Sequence, residues 1–300
     1  MSWLGAIAAP LPWGESPRTT EDRLEVIDAD FLLEVHEATS PPASAGVPRL
    51  RLEHGPPVEA SPWVEEELRL ILLTSGSTGS AKVVPLTGGQ LLYSCLGAAL
   101  RLGPSVQDRW LCCLPLHHVA GLSILFRAAW AQGTVELREG FEPQEVAARL
   151  DSGEVTLISL VPTMLQRLLD HREPVPFPAA LRGILLGGAA ASDALLARCR
   201  EIAAPVRLTW GMTETAAQVA TMGPDDPLET GQAGPPHVFA SVSADDGALV
   251  VHGPVVLGES LRTSDRGHVD GRGRVHIHHS AVLLGEPAHR TMAGDRGGAK

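Results

Sequence analysis

The chain is nearly without lysine. Two occur in 300 residues, Lys82 and Lys300, and arginine supplies the remaining basic charge. Basic residues are also outnumbered, 24 against 35 acidic, giving a formal net charge of −11. A phosphate backbone needs a basic face, so this balance argues against nucleic acid as a partner, while a local positive site can still hold a nucleotide. Cysteine is sparse: Cys95, Cys112, Cys113 and Cys199 show no metal-ligand spacing, and two of them are adjacent in a hydrophobic run. Buried free thiols in a reducing cytoplasm are the expectation. No stretch is long and apolar enough to span a bilayer, so no membrane partner is expected. The start, Met1 to Trp13, is apolar but lacks a basic n-region and carries Pro10 and Pro12. It reads as an edge segment packed on the body and not as a secretion signal.

A hydrophobic content of 44% suits one large domain or two modest ones. Residues 1–65 hold two apolar patches, Leu24–Ile27 and Phe31–Val35, then a Pro-rich stretch from Pro41 to Pro62; they read as a short lead-in and linker. From Leu68 onward apolar strand runs alternate with helical patterns. Strands are expected at Leu70–Leu73, Trp110–Leu114, Thr134–Leu137, Val155–Leu160, Gly183–Leu186 and Val206–Leu208. Helices are expected at Thr87–Leu102, with Thr87 as N-cap, and at Gly121–Ala131, Pro143–Leu150, Pro162–Asp170 and Ala191–Ala203. Such alternation implies an α/β fold, a largely parallel sheet with helices on both faces, over residues 66–237. Short strands at Val238–Val242, Ala248–Val251 and Arg274–Ile277 predict a small antiparallel β unit over 238–280, and residues 281–300 read as a disordered tail.

Lys82 closes the run Thr74-Ser75-Gly76-Ser77-Thr78-Gly79-Ser80-Ala81-Lys82, which follows the apolar Leu70–Leu73. Small residues let backbone N–H groups approach an anion, hydroxyls add donors, and the ammonium adds a point charge. The run is not a Walker A loop, because Ala81 stands where a second glycine is required and Val83 follows the lysine. A polyphosphate-cradling loop of another type is the better reading than a plain Ser/Gly hairpin loop. Trp210-Gly211-Met212-Thr213-Glu214-Thr215 combines an aromatic for a nucleobase, hydroxyls for phosphate and one carboxylate for Mg²⁺. Leu185-Leu186-Gly187-Gly188-Ala189-Ala190 ends a strand in small residues, and Thr263-Ser264-Asp265-Arg266-Gly267 closes the β unit. Each has a plainer explanation alone: a helix capped by Thr213 or Thr215, a βα turn, and a type I turn. The cluster His276-x-His278-His279 offers a two-point ligand pair on one strand face, but exposed strand histidines are the expectation.

Taken in order, these islands resemble the adenylate-forming (AMP-binding) superfamily of acyl- and aryl-CoA ligases, with the likeness running from about Leu70 to Val275. Within it the sequence is most similar to o-succinylbenzoate–CoA ligases of menaquinone synthesis, through Leu114–Arg127 and Val161–Leu169 as well. The resemblance implies ATP, Mg²⁺ and CoA as cofactors and an aryl or acyl carboxylic acid as substrate. It implies that Thr74, Ser75, Gly76, Ser77, Thr78, Gly79 and Lys82 hold the outer phosphates, with Thr78 and Glu214 at the metal. Trp210 and Gly211 would lie at the adenine, Thr213 at the α-phosphate, Asp265 at the ribose hydroxyls, and Gly187, Gly188 and Ala189 along the adenine and acyl pockets. His118 would stand beside the acyl pocket, its plainer explanation being a hydrogen-bonded core histidine.

The departures from the family pattern shape the functional expectation. Ala81 replaces the loop's usual proline, Ser264 replaces a glycine, and His279-Ser280 fall where the family has a hinge Gly-Arg. The segment before the phosphate loop is short for the family, and no pattern for the mobile C-terminal domain follows Ser280. The expected function is ATP/Mg-dependent activation of a carboxylic acid as acyl-AMP, with acyl-CoA formed slowly, if at all, by these 300 residues alone. The alternatives are acyl transfer from CoA to an acyl carrier protein without adenylation, or a binding domain completed by a partner in trans.

Overall fold

The computed structural model describes residues 7–12, 16–27, 32–34, 49–51, 62–75 and 81–279. Gly76, Ser77, Thr78 and Gly79 of the expected phosphate loop lie outside the described residues, as do Ser280 and positions 281–300. Helix α1 (Pro17–Val26) starts at Ser16, whose Oγ accepts the Thr19 N–H at 3.2 Å. Short strands β1 (Leu32–Glu34) and β2 (Arg49–Arg51) pair in parallel. The edge-segment expectation holds at Ala8, whose N–H donates to the Arg69 carbonyl at 3.1 Å and whose carbonyl accepts the Ile71 N–H at 2.8 Å.

Strands β3 (Leu68–Ser75) and β4 (Ala81–Thr87) form an antiparallel hairpin with Thr74 opposite Lys82. This corrects the expectation in two ways: Leu70–Leu73 does not open the parallel sheet, and a strand, not only a cap, follows the loop. Pro85 argues against a strand in the sequence, but a two-stranded hairpin has an open edge that tolerates a missing N–H. Strand periodicity puts Lys82 on the same face as buried Val84 and Leu86, the face turned toward the body. Helix α2 (Gly88–Leu102) begins as expected after Thr87, through a reciprocal capping box. The Gln90 N–H donates to Thr87 Oγ1 at 3.2 Å, and the Thr87 N–H donates to Gln90 Oε1 at 3.1 Å.

The alternating region then folds much as its periodicity predicts. It contributes β5 (Arg109–Cys112), α3 (Val119–Ala131), β6 (Thr134–Leu137), α4 (Pro143–Asp151), β7 (Leu157–Leu160), α5 (Pro162–His171), β8 (Gly183–Leu186), α6 (Asp193–Glu201), β9 (Val206–Met212) and β10 (Ala217–Thr221). The sheet order is β10-β9-β8-β7-β5-β6, parallel throughout except for β10 at one edge. Alternate side chains face opposite layers. Ile158 and Ile184 meet Leu165 and Leu196 of the α4–α6 layer, while Leu157 and Leu185 meet Ile124 and Leu102 from α3 and α2. Both faces are therefore dry, which explains the largely apolar runs of β7 and β8, broken only by buried Ser159.

The remaining strands, β11 (Gln232–Gly234), β12 (Ser241–Asp245), β13 (Ala248–His252), β14 (Ser260–Val269) and β15 (Val275–His279), make an antiparallel sheet in the order β11-β15-β14-β13-β12. The first expected strand shifts from Val238–Val242 to Ser241–Asp245. Thr263–Gly267, for which a type I turn is the plainer explanation from sequence, lies inside β14. There Thr263, Asp265 and Gly267 face inward and Arg262, Ser264 and Arg266 face out, so period-two burial overrides turn-like composition. All four cysteines are buried and free, and among the described residues no helix is long and apolar enough to cross a membrane.

His237 is buried between α2 and β10, with Nε2 3.0 Å from Thr221 Oγ1. Burial, then the positive charge of Arg127 and Arg101, pulls its pKa down to about 3. The unfolded chain takes up this proton near pH 6.5 and the folded chain does not, so stability is full above that value and falls toward pH 3. By pH 5 the wild type should lose about 2 kcal/mol more than His237→Gln relative to pH 7, read from urea unfolding at both pH values. Parallel pH curves for the two proteins would show that His237 is not buried neutral.

Candidate active site

The βα connections place the C-terminal ends of β5, β7, β8 and β9 along one rim, where open α/β sheets receive ligands. Strand β8 ends there in Gly187–Ala189. A Cβ on Gly187 would stand 2.4 Å from Thr209 Oγ1, so only glycine lets β8 and β9 lie this close at the rim. Strand β9 runs beyond the expected Leu208 through Trp210 and Gly211 to Met212, and Thr213–Thr215 form one 3-10 turn. Neither threonine is its N-cap, which is Met212. Instead Thr215 Oγ1 accepts the Met212 N–H at 3.1 Å and donates to the Ala217 carbonyl at 2.8 Å. The chain then doubles back with Ala216 and Ala217 at φ 52° and 101°, conformations L residues seldom adopt. A Cβ on Gly211 would fall 1.9 Å from the Ala217 carbonyl oxygen, so this reversal requires glycine.

Two pairs of separated motifs meet at this rim. The Lys82 ammonium, on a side chain 57% exposed, forms an ion pair with the Glu214 carboxylate. The buried Trp210 indole Nε1–H donates to Asp265 Oδ2 at 2.8 Å, joining β9 to β14. His118 sits exposed at the start of α3 after the Pro115–His118 turn, its ring 4.3 Å from that of His117, and so is not a core histidine. Thr213 is half-buried beside Glu214, and Thr74 faces Lys82 across the hairpin.

Beneath the hairpin a narrow, half-open pocket is lined by Leu91, Val119, Leu122, Phe126, Arg127 and Gln218, among others. Arg127 is the residue that sequence reasoning passed over. It is buried, donates from Nε to the Ser123 carbonyl at 3.2 Å and from Nη2 to Ser123 Oγ at 3.1 Å, and also bonds Gln218 Oε1. Its guanidinium lies 4.8 Å from the Trp110 ring centre. Burial pulls its pKa down to about 10, and no carboxylate pairs with it among the described residues. The available signal was a lone charge inside the apolar run Gly121–Trp130.

The histidine cluster is placed elsewhere, on β14 and β15. His268 stacks on His276 at 4.8 Å, its Nδ1 lies 2.8 Å from His278 Nε2, and His276 Nε2 lies 3.1 Å from Asp270 Oδ2. Among the described residues no group of three or more His, Cys, Asp or Glu could hold a metal ion.

The sequence profile of the AMP-binding enzyme family matches residues 4–259, well over half of the chain. The chain belongs to the AMP-binding enzyme family. It is 39% identical over 202 residues to the 2-succinylbenzoate–CoA ligase of Geobacillus kaustophilus, covering 64% of this chain and 41% of that protein. It is 35% identical over 258 residues to the Bacillus subtilis enzyme of the same name, covering 77% and 53%. The solved structure of B. subtilis o-succinylbenzoate coenzyme A synthetase in complex with ATP and magnesium ion superimposes with a TM-score of 0.82 at 31% identity, covering 92% of this chain and 64% of that one. This AMP-binding chain thus spans about half the length of the curated relatives it matches.

The Trp210–Asp265 bond is buried, so removing the indole takes one donor from a buried carboxylate. Trp210→Phe should cost about 1–3 kcal/mol in chemical denaturation, and Asp265→Asn should recover part of that loss in the double variant. Additive losses would show that the two side chains do not share this bond.

Proposed function

We propose that the chain forms the nucleotide- and acid-binding part of an acid–thiol ligase that activates an aryl carboxylic acid as its acyl-AMP. The observation that carries this reading is the meeting of Lys82 and Glu214, from motifs 132 residues apart, at the strand-end rim. Glu214 already faces one cation there, and a lone carboxylate with neighbouring hydroxyls suits a hard divalent ion. Mg²⁺, when bound, supplies neutralisation of charge between phosphates. Lys82 and Thr74 would hold the outer phosphates of ATP, Thr213 the α-phosphate, and Asp265 the ribose side of the nucleotide beside Trp210. Among the other loop residues, Ser75, Gly76, Ser77, Thr78 and Gly79 would add donors, with Thr78 at the metal. Gly187, Gly188 and Ala189 leave the rim open to adenine and acid, and His118 stands near the acid's entry.

In the proposed reaction a carboxylate oxygen of the acid attacks the α-phosphorus, and the bond to pyrophosphate breaks as the acyl phosphate bond forms. The CoA thiol sulfur then attacks the acyl carbon and AMP leaves. The chain's part in the first step is positioning and cationic stabilisation of the phosphates. Arg127 bears on which acid. A buried guanidinium without a carboxylate partner is costly, and an anionic group entering the apolar pocket would repay it. An aryl acid with a second carboxylate, such as the 2-succinylbenzoate named in the relatives, carries such a group. Those relatives are CoA ligases and lend no support to the carrier-protein acyltransferase or the in-trans alternatives.

Lys82→Ala should weaken ATP by about tenfold or more in calorimetry while leaving AMP within about twofold, because AMP lacks the outer phosphates. Equal losses would remove Lys82 from that role. With Arg127→Met, affinity for 2-succinylbenzoate should fall about 10- to 100-fold while benzoate is little changed. Unaltered 2-succinylbenzoate binding, or pyrophosphate exchange better supported by a monocarboxylate, would refute the dicarboxylate assignment.

A further inference from the structure

Gln90 has no part in the contacts proposed above, yet its side chain joins three separate parts of the fold. It is 2% exposed. Its Oε1 accepts the Thr87 N–H at the end of the phosphate hairpin, at 3.1 Å. Its Nε2 donates to the Glu214 carbonyl at 3.0 Å and to the Val255 carbonyl, between β13 and β14, at 3.4 Å. One turn further along α2, Ser94 Oγ donates to the Ala216 carbonyl at 2.9 Å. Two side chains on one face of α2 thus hold carbonyls two residues apart in the reversal where Ala216 and Ala217 take positive φ.

Two links tie Glu214 to the hairpin, and they differ in kind. The outer one is the Lys82–Glu214 ion pair, half in solvent. In the reading above, Lys82 goes to the outer phosphates and Glu214 to the divalent ion, so that pair must open when both arrive. The inner one is Gln90, which touches only the Glu214 main chain and has nothing to release. We propose that Gln90 is a positioning residue: it keeps the Glu214 carboxylate in register with the phosphate hairpin after Lys82 has left it. This rests on the assignment of Glu214 to the metal-nucleotide site. Its loss should therefore be felt by metal with triphosphate and not by AMP, which uses neither Glu214 nor the hairpin.

Gln90→Glu separates this role from simple helix capping, since it keeps an oxygen for the Thr87 N–H and removes both N–H donors. The 300-residue chain would be titrated with Mn²⁺ in the presence of ATP, read by electron paramagnetic resonance, and with AMP by calorimetry. Partners that orient a metal-binding group typically matter by about 10- to 100-fold in metal affinity, so Mn²⁺ with ATP should weaken by about tenfold or more. AMP should stay within about twofold. Gln90→Asn, which keeps an amide on a shorter arm, should show the same selectivity with a smaller loss, and decides the matter if the Glu variant does not fold. Unchanged Mn²⁺ binding with ATP, or equal losses of ATP and AMP, would overturn the positioning role while leaving the nucleotide site intact. A wild-type chain that binds neither nucleotide would overturn the site assignment and this inference together.

Discussion

The site depends on a connectivity constraint. Parallel strands must be joined by crossovers, and here each crossover is a helix covering one face of the sheet. All the strand C-termini from β5 to β9 therefore emerge at one rim, and the loops that follow them meet there regardless of their separation in sequence. The dry layers on both faces hold that rim rigid, so a few short turns can carry the chemistry without a loop of their own to support them.

On this rim the structure sets one unusual feature, the reversal from β9 into β10. Gly211 permits it sterically, Ala216 and Ala217 accept unfavourable backbone angles for it, and Thr215, Ser94 and Gln90 hold its carbonyls and amides. Strained backbone persists only where its surroundings over-determine it. The result is that Glu214, in the turn, meets Lys82 of the hairpin, while Trp210, four residues earlier on β9, donates to Asp265. One short segment thereby connects the parallel sheet, the hairpin and the antiparallel unit.

The pocket beneath shows the complementary strategy. Its walls are apolar, but it encloses Arg127, whose charge is met by a carbonyl, a hydroxyl, an amide oxygen and the face of Trp110, with no carboxylate among the described residues. Such neutral partners keep a guanidinium tolerable in the interior without cancelling its field. An anionic group would find there a charge that is already oriented and little hydrated.

The sequence by itself determined the order of strands and helices, because apolar period and run length report which faces are buried. It also determined the family likeness, because the motifs' order survives without knowledge of their contacts. It overlooked β4, where Pro85 argues against a strand, and left a type I turn open for Thr263–Gly267, since burial, which only packing supplies, favoured strands at both. Tertiary structure alone decided which residues meet: Lys82 with Glu214, Trp210 with Asp265, and the Gln90 amide with the Glu214 carbonyl, across 132, 55 and 124 residues. Periodicity can assign a side chain to a face. Its partner across that face is chosen by how the sheet, hairpin and antiparallel unit pack, and that choice is not written in any local stretch of the chain.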